Sequence, residues 1–276
     1  TDSDDSFVLS DDQQVDTKGT TFTDVTNIAA GSGDDEIIGA TDQEWQLSGV
    51  DNQITANNIE FTEVEKATNG TINGTENSDT FMISDTADTE NQVTANEILF
   101  SNIAEVDSGL GDDAVSGSNV WHLLTGGFES SGINFFGVEV AVSESAATIT
   151  GTSLADTFTL SGDQQVDAKG TTFTDVTNIT AGSGDDEIIG AIDQEWQLSG
   201  VDNQITANNI EFTEVEKATN GTINGTENSD TFMISDTADT ENQVTANEIL
   251  FSNIAEVDSG LGDDAVSGSN VWHLLT

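Results

Sequence analysis

The sequence predicts an all-β protein, a parallel β-solenoid of the β-helix or β-roll type. Three observations predict it: the chain repeats with a period of 151 residues, a blurred repeat of about 38 residues lies inside that period, and no segment keeps a helical apolar period over about ten residues. Short β-branched stretches bounded by Gly, Asn and Asp indicate short strands joined by turns. Tandem β-sandwich domains or a closed barrel are the alternative, because short alternating strands suit them too.

The long repeat defines the predicted domain organisation. Residues 1–125 form a first, incomplete copy, residues 126–151 complete the period, and residues 152–276 form a second, incomplete copy. Neither end carries an atypical terminal repeat of the kind that caps a stacked array, so we expect a slice of a longer array. From residue 12 to residue 125 the copies differ at three positions: Thr17 against Ala168, Ala29 against Thr180, and Thr41 against Ile192.

The shorter repeat is marked by an aromatic residue followed two positions later by an aliphatic one. Units of this length cannot each bury a core alone, so we expect them to stack and to form interior ladders of apolar side chains. Tryptophan occupies this marker four times, and we expect a core position rather than a sugar-stacking platform. The markers are Phe7-Leu9, Trp45-Leu47, Phe81-Ile83, Trp121-Leu123 and Phe158-Leu160, with Trp196 and Trp272 in the second copy.

The charge of the chain excludes several partners. It has 52 Asp and Glu against four Lys and no Arg, a formal net charge of −48. Nucleic acid and anionic membrane surfaces would be repelled. No apolar run approaches the roughly 18 residues of a membrane-spanning helix, so membrane insertion is not expected. Lys18, Lys66 and their copies are predicted to act as local counter-charges to neighbouring acids.

The turns between the predicted strands carry the candidate chemistry. A nine-residue segment with Asp at its sixth place and an apolar residue at its eighth recurs along the chain. Glycines allow left-handed backbone and expose carbonyl oxygens, and Asp adds a hard anionic oxygen of the kind that Ca²⁺ binds. Two copies are glycine-rich, at 30–38 and 108–116, and two are degenerate, at 74–82 and 151–159.

These segments resemble the calcium-binding nonapeptide of repeats-in-toxin proteins, which are secreted by bacteria. The first glycine of that pattern is Ala30 or Ser108 here, and the copies are not contiguous. The resemblance implies bound Ca²⁺, with glycines that shape carbonyl-donating turns and aspartates that supply side-chain oxygens. The implied metal-site residues are Gly31, Gly33, Asp34, Asp35, Asp79, Gly109, Gly111, Asp112, Asp113, Asp156, Gly182, Gly184, Asp185, Asp186, Asp230, Gly260, Gly262, Asp263 and Asp264.

The longer phrasing around these turns also resembles the repeat regions of giant bacterial surface adhesins and extracellular filament proteins. That resemblance implies a non-enzymatic structural or adhesive array displayed at the bacterial cell surface. Its partners would be calcium ions, further copies of the same repeat, and an unidentified surface or glycan target, with self-association into fibres. Near-identical copies suit avidity along an axis better than a single catalytic pocket.

Two other functions remain as alternatives. A β-helix can carry a carbohydrate-active enzyme or a glycan-binding site, and pairs of carboxylates are abundant enough for a glycosidase. A lyase acting on uronates would require Arg, Lys, Tyr or His near its substrate, and this chain has no Arg or Tyr, four Lys and two His. Ice binding would require a regular Thr-x-Thr ladder, which the sequence does not form.

Overall fold

The computed structural model describes residues 2–84, 91–235 and 242–268. Across these ranges every regular element is a β-strand, and there is no helix long and apolar enough to cross a membrane. Parallel pairs stack one coil on the next, and antiparallel pairs form hairpins within a coil. The predicted β-solenoid is therefore confirmed.

The strands are distributed over two compact units. One unit comprises the described residues up to 121 together with 125–144, and the other comprises 122–124 and the described residues from 145 onward. In chain order the strands up to residue 144 are β1 (Ser6–Asp11), β2 (Gln14–Thr17), β3 (Thr20–Phe22), β4 (Asn27–Ala29), β5 (Glu36–Ile38), β6 (Glu44–Leu47), β7 (Gln53–Ala56), β8 (Ile59–Thr62), β9 (Lys66–Thr75), β10 (Thr80–Ile83), β11 (Gln92–Ala95), β12 (Ile98–Gly109), β13 (Ala114–Ser116), β14 (Val120–Leu124), β15 (Gly127–Ser130), β16 (Ile133–Phe136) and β17 (Val140–Val142). The later strands are β18 (Ala147–Thr150), β19 (Thr157–Gly162), β20 (Gln165–Ala168), β21 (Thr171–Phe173), β22 (Val176–Thr180), β23 (Glu187–Ile189), β24 (Glu195–Leu198), β25 (Gln204–Ala207), β26 (Ile210–Thr213), β27 (Lys217–Asn224), β28 (Thr231–Ser235), β29 (Gln243–Ala246), β30 (Ile249–Asp258) and β31 (Ala265–Ser267).

Apolar residues in register between coils form the core of each unit. In the first unit Phe7 pairs with Ile37, Ile37 with Ala67, and Ala67 with Phe100, and all four side chains are buried. This confirms the predicted interior ladders. A large side chain lies beside a smaller one from coil to coil, which lets the layers fill the interior. The second unit repeats the ladder with Phe158, Ile188, Ala218 and Phe251.

The tryptophans lie in this core, as the sequence predicts. Trp45, Trp121 and Trp196 are fully buried. Each indole N–H has an acceptor: Trp45 Nε1 donates to the Asn69 carbonyl oxygen at 2.6 Å, and Trp121 Nε1 donates to Ser143 Oγ at 3.0 Å. These bonds remove the cost of burying the polar end of the ring. Trp272 lies outside the described residues.

Two-residue hairpins lie within the coils. The turn at Asn57 and Asn58 has φ of 48° and 57°, and the turn at Asn96 and Glu97 has φ of 48° and 59°. Positive φ at both central residues is the type I′ turn that matches strand twist, and Asn tolerates it well. Residues bonded between neighbouring coils are 26, 30 or 34 positions apart, whereas the sequence unit has about 38, so one sequence unit is longer than one coil.

Candidate functional site

Glycine lets the aspartate-bearing turns stack in direct backbone contact. We call the turns that end at Asp35, Asp113, Asp186 and Asp264 the glycine turns, and the turns that end at Asp5, Asp79, Asp156 and Asp230 the threonine turns. Gly109 has φ of 94°, and a Cβ placed on it would lie 2.2 Å from the Thr75 carbonyl oxygen of the turn below. Gly182 shows the same approach, with φ of 105° and 2.1 Å to the Thr152 carbonyl oxygen. No other residue fits there.

The stacked turns connect their aspartates in a ladder that runs from coil to coil. The Asp5 N–H donates to Asp35 Oδ1 at 2.6 Å, and the Asp35 N–H donates to Glu65 Oε2 at 2.8 Å. Each rung therefore joins the backbone of one coil to the carboxylate of the next. The same ladder recurs with Asp79, Asp113 and Glu139, with Asp156, Asp186 and Glu216, and with Asp230 and Asp264.

The ladder includes acids that the nonapeptide pattern did not single out. Asp5, Glu65, Glu139 and Glu216 lie in turns without the glycine pair, so a search for glycine-rich segments passes over them. A simpler signal finds the rungs: an acid followed two positions later by an apolar residue, which is buried in every rung except that of Asp264. Glu65 precedes Ala67 in this way, as Asp35 precedes Ile37.

The threonine turns hold their own carboxylate with donors from the same turn. Asp156 Oδ2 accepts from the Thr152 N–H at 2.6 Å and from Thr152 Oγ1 at 2.9 Å, and Asp230 Oδ2 accepts from both donors of Thr226 in the same manner. Lys169 Nζ lies 2.5 Å from Asp156 Oδ1. Lys18 makes the equivalent ion pair with Asp5. These carboxylates are thus hydrogen-bonded, and two of them are paired with a cation.

The glycine turns leave one carboxylate oxygen without such donors. Asp35 and Asp186 are fully buried, and the Oδ2 atom of each accepts no hydrogen bond from any described residue. In the glycine turn that ends at Asp113, the Gly109 N–H donates to Asp107 Oδ1 at 3.2 Å rather than to Asp113, although it occupies the place of the threonine donor. Burying an anionic oxygen without a partner costs free energy. A positive charge bound at these turns would offset that cost.

Burial also acts on the protonation of these aspartates. It raises the pKa of Asp113 and of Asp186 above the ordinary value. Backbone hydrogen bonds from Asp79 and Asp156 oppose the rise in pKa, and the nearby Glu139 and Glu216 carboxylates add to it. A carboxyl whose charged form is disfavoured in this way would be stabilised as an anion by a bound cation.

The second aspartate of each glycine turn lies on the surface. Asp34 and Asp185 are mostly exposed, and each pairs with a lysine of the next coil, Lys66 or Lys217, at 2.5 Å. These two ion pairs, with those of Lys18 and Lys169, confirm the predicted role of the lysines as local counter-charges. The pKa of Lys66 and that of Lys217 are raised by the hydrogen bond to the partner aspartate. Asp112 and Asp263 are also exposed.

The turns supply carbonyl oxygens as well as carboxylates. Around Gly151, the Ala181 carbonyl oxygen and Asp156 Oδ2 lie 1.9 Å and 2.9 Å from the point where a Cβ would be, and Gly225 has a similar pair of oxygens. Among the residues that the structure describes, no three Asp, Glu or His side chains form a metal-binding group. A cation at these turns would therefore draw most of its ligands from backbone carbonyls, which Ca²⁺ accepts. No protein-family model matches the sequence, and no curated protein matches it either.

Proposed function

We propose that this chain is a non-enzymatic structural and adhesive repeat array, part of a rod or filament shaft of a large bacterial surface protein, that calcium stabilises outside the cell. The observation that carries the proposal is the buried Oδ2 of Asp35 and of Asp186, which has no hydrogen-bond partner among the described residues and lies in a turn stacked on other oxygen-bearing turns. A cation bound there would compensate the charge that folding buries.

The charge of the whole chain supports the same function. A net charge of −48 opposes compaction through self-repulsion, and the four lysines compensate little of it. The lysines neutralise the threonine turns at Asp5 and Asp156, whereas no lysine pairs with Asp35, Asp113 or Asp186 among the described ion pairs. Under this proposal calcium supplies at the glycine turns what lysine supplies at two threonine turns.

The repetition of one surface suits an adhesive or fibre-forming role. Copies 151 residues apart multiply any binding site on the chain, so weak contacts gain strength through avidity. We propose further copies of the same repeat, calcium ions and an external surface or glycan as the partners. The proposal assigns no catalytic role to any residue.

Thermal unfolding with and without calcium tests this function. If each site binds Ca²⁺ with a dissociation constant of about 10⁻⁴–10⁻³ M, then about 10 mM Ca²⁺ adds about 1.4–2.7 kcal/mol to the free energy of unfolding per occupied site. We expect a large rise in Tm over a chelator-treated sample, and a much smaller rise in Mg²⁺ at the same ionic strength. An equal response to both ions would indicate general charge screening and would contradict the proposal, as would no response at all.

A further inference from the structure

A polar groove recurs in the two copies of the long repeat, apart from the glycine turns. The first copy has a volume of about 570 Å³ and is lined by Asp42, Gln43, Glu44 and Asn58, among others. The second has the same volume and is lined by the equivalent residues 151 positions later. Volumes of this size are typical of small-ligand sites. Neither lysine nor an aromatic residue lines either copy.

Several amide nitrogens of the groove are already bonded to the protein. Gln43 Nε2 donates to Asn57 Oδ1 at 3.0 Å, and Asn58 Nδ2 donates to Asp12 Oδ1 at 2.7 Å. These bonds fix the amide groups with their nitrogens occupied. The second copy repeats both bonds, from Gln194 to Asn208 at 3.0 Å and from Asn209 to Asp163 at 2.7 Å.

The groove therefore presents oxygen atoms to a ligand. Gln43 is only 6% exposed, and its Oε1 accepts no hydrogen bond from any described residue, although both of its donated bonds are made. Gln194 is buried to the same extent and bonded in the same way. The carboxylates of Asp42 and Glu44 are exposed beside Gln43. An acceptor fixed at a buried position, with exposed carboxylates on the residues before and after it, suits a ligand that is cationic and rich in donors.

We infer that each groove binds an amino sugar, a ligand with primary ammonium groups among hydroxyls. The ammonium group matches the carboxylates of Asp42 and Glu44 in charge, and a sugar hydroxyl donates to Gln43 Oε1. The hydroxyl of Thr55 and the amide of Asn73, which also line the groove, can donate to sugar oxygens. Acidic sugars are disfavoured by repulsion. This inference names a target for the adhesive part of the proposed function and rests on that part, not on calcium at the turns.

Calorimetric titration of the full chain with a β-1,4-linked glucosamine tetramer tests the inference. We expect two sites per chain, and no binding of the matched N-acetylated tetramer, which lacks the ammonium groups. The groove variant carries Asp42→Asn, Glu44→Gln, Asp193→Asn and Glu195→Gln, and we expect it to bind about 10-fold more weakly. The control variant carries Asp51→Asn, Glu97→Gln, Asp202→Asn and Glu248→Gln. These exposed acids lie outside the two grooves, and the control changes the net charge by the same amount as the groove variant. We expect the control to bind like the wild type.

Three results would overturn the inference. Equal weakening in both variants would mean that net charge alone attracts the ligand. Tight binding of the N-acetylated tetramer would show that the ammonium groups are not recognised. If tetralysine bound as tightly as the glucosamine tetramer and lost affinity in the same groove variant, the groove would not be specific for a sugar. Titrations in calcium and in chelator keep this test separate from the calcium proposal, because tetramer binding in chelator does not require occupied turns. Circular dichroism and Tm confirm that each variant is folded.

Discussion

The glycine turn and the threonine turn place an aspartate at the same point of the coil and surround its charge differently. In the threonine turn at Asp156, the threonine four positions earlier gives both of its donors to Oδ2, and Lys169 pairs with Oδ1. In the glycine turn at Asp186, a glycine occupies the position of the threonine, and Oδ2 accepts no hydrogen bond from any described residue. The residue four positions upstream thus decides whether Oδ2 receives hydrogen bonds from its own turn, and the positive charge at Asp156 comes separately from Lys169.

The largest expected effect concerns the contact between the two kinds of turn. Gly182→Ala should lower the free energy of unfolding by about 3–5 kcal/mol, because the new Cβ adds a backbone clash with Thr152 to left-handed strain. Gly170→Ala is the matched control, since it also has positive φ but nothing within 4 Å of its Cβ, and should cost about 1 kcal/mol. Urea unfolding of both variants in chelator measures the difference. Equal losses would show that the turns do not pack as closely as described.

The second prediction concerns the replacement of aspartate by asparagine in one turn of each kind. In chelator, Asp156→Asn should lower the free energy of unfolding by about 2 kcal/mol, because Lys169 loses its buried counter-charge. Asp186→Asn should raise it by about 1 kcal/mol, because it removes a buried charge and keeps the Oδ1 acceptor for the Asp156 N–H. Denaturant unfolding compares the variants, and a loss of stability in both would remove the distinction between the turns.

The same two variants, Asp156→Asn and Asp186→Asn, can also be compared in the presence of calcium. If the proposed site is at the glycine turn, Asp186→Asn should respond less to calcium than the wild type does, so its advantage in chelator should disappear. The same pair of variants measured at saturating calcium provides the check. A variant that keeps its full calcium response would place the ion elsewhere.

The third prediction compares lysines that pair with buried and exposed acids. Lys169→Gln should cost about 1.5 kcal/mol, because Asp156 is fully buried and would lose its cation. Lys217→Gln should cost less than about 0.5 kcal/mol, because Asp185 is mostly exposed and solvent replaces the lysine. Thermal unfolding of the two variants at low and high salt measures both costs. We expect only the Lys217 effect to vanish at high salt, and the opposite result would reverse the assignment.

The smallest expected effect is a dependence on pH. Because burial raises the pKa of Asp186 above 3.8, the folded chain holds a proton that the unfolded chain releases between that value and the raised pKa. This carboxyl therefore contributes less stability as the pH rises through that window. The advantage of Asp186→Asn in chelator, about 1 kcal/mol at neutral pH, should shrink as the pH falls through that window and approach zero only below 3.8. A constant advantage across this range would mean that the carboxyl is not destabilised by its charge.

The repeats and the apolar markers predicted much of the fold. The aromatic marker at Trp45 and the acid-x-apolar pattern at Asp35 each put a side chain into the core, and a period of two along a strand is enough to do so. The distance between coils could not be obtained in this way. Bonded residues of neighbouring coils are 26 to 34 positions apart, so successive markers of the 38-residue repeat do not pair with each other: Phe7 pairs with Ile37, and Trp45 pairs with Ile72.

The candidate site was only partly predictable for a similar reason. The glycine-rich pattern identified Asp35 and Asp186, but their bonds to Glu65 and Glu216 join residues 30 positions apart, which local sequence does not specify. The pattern assigned both Asp156 and Asp186 to the predicted metal site, although it classed the segment around Asp156 as degenerate. Thr152 supplies donors to Asp156 within its own turn, whereas the bond from the Asp156 N–H to Asp186 Oδ1 exists only because the two turns stack.

By itself the sequence determined the repeat, the strand-and-turn composition, the apolar positions and the strongly negative charge, since each of these depends on the identity and spacing of nearby residues. Only the tertiary structure decided which carboxylates meet, which of them accept a hydrogen bond from the neighbouring coil, and where a groove with fixed amide groups is formed. Those properties depend on register between coils, and register is set by the summed packing of the core and the lengths of the hairpins rather than by any one turn.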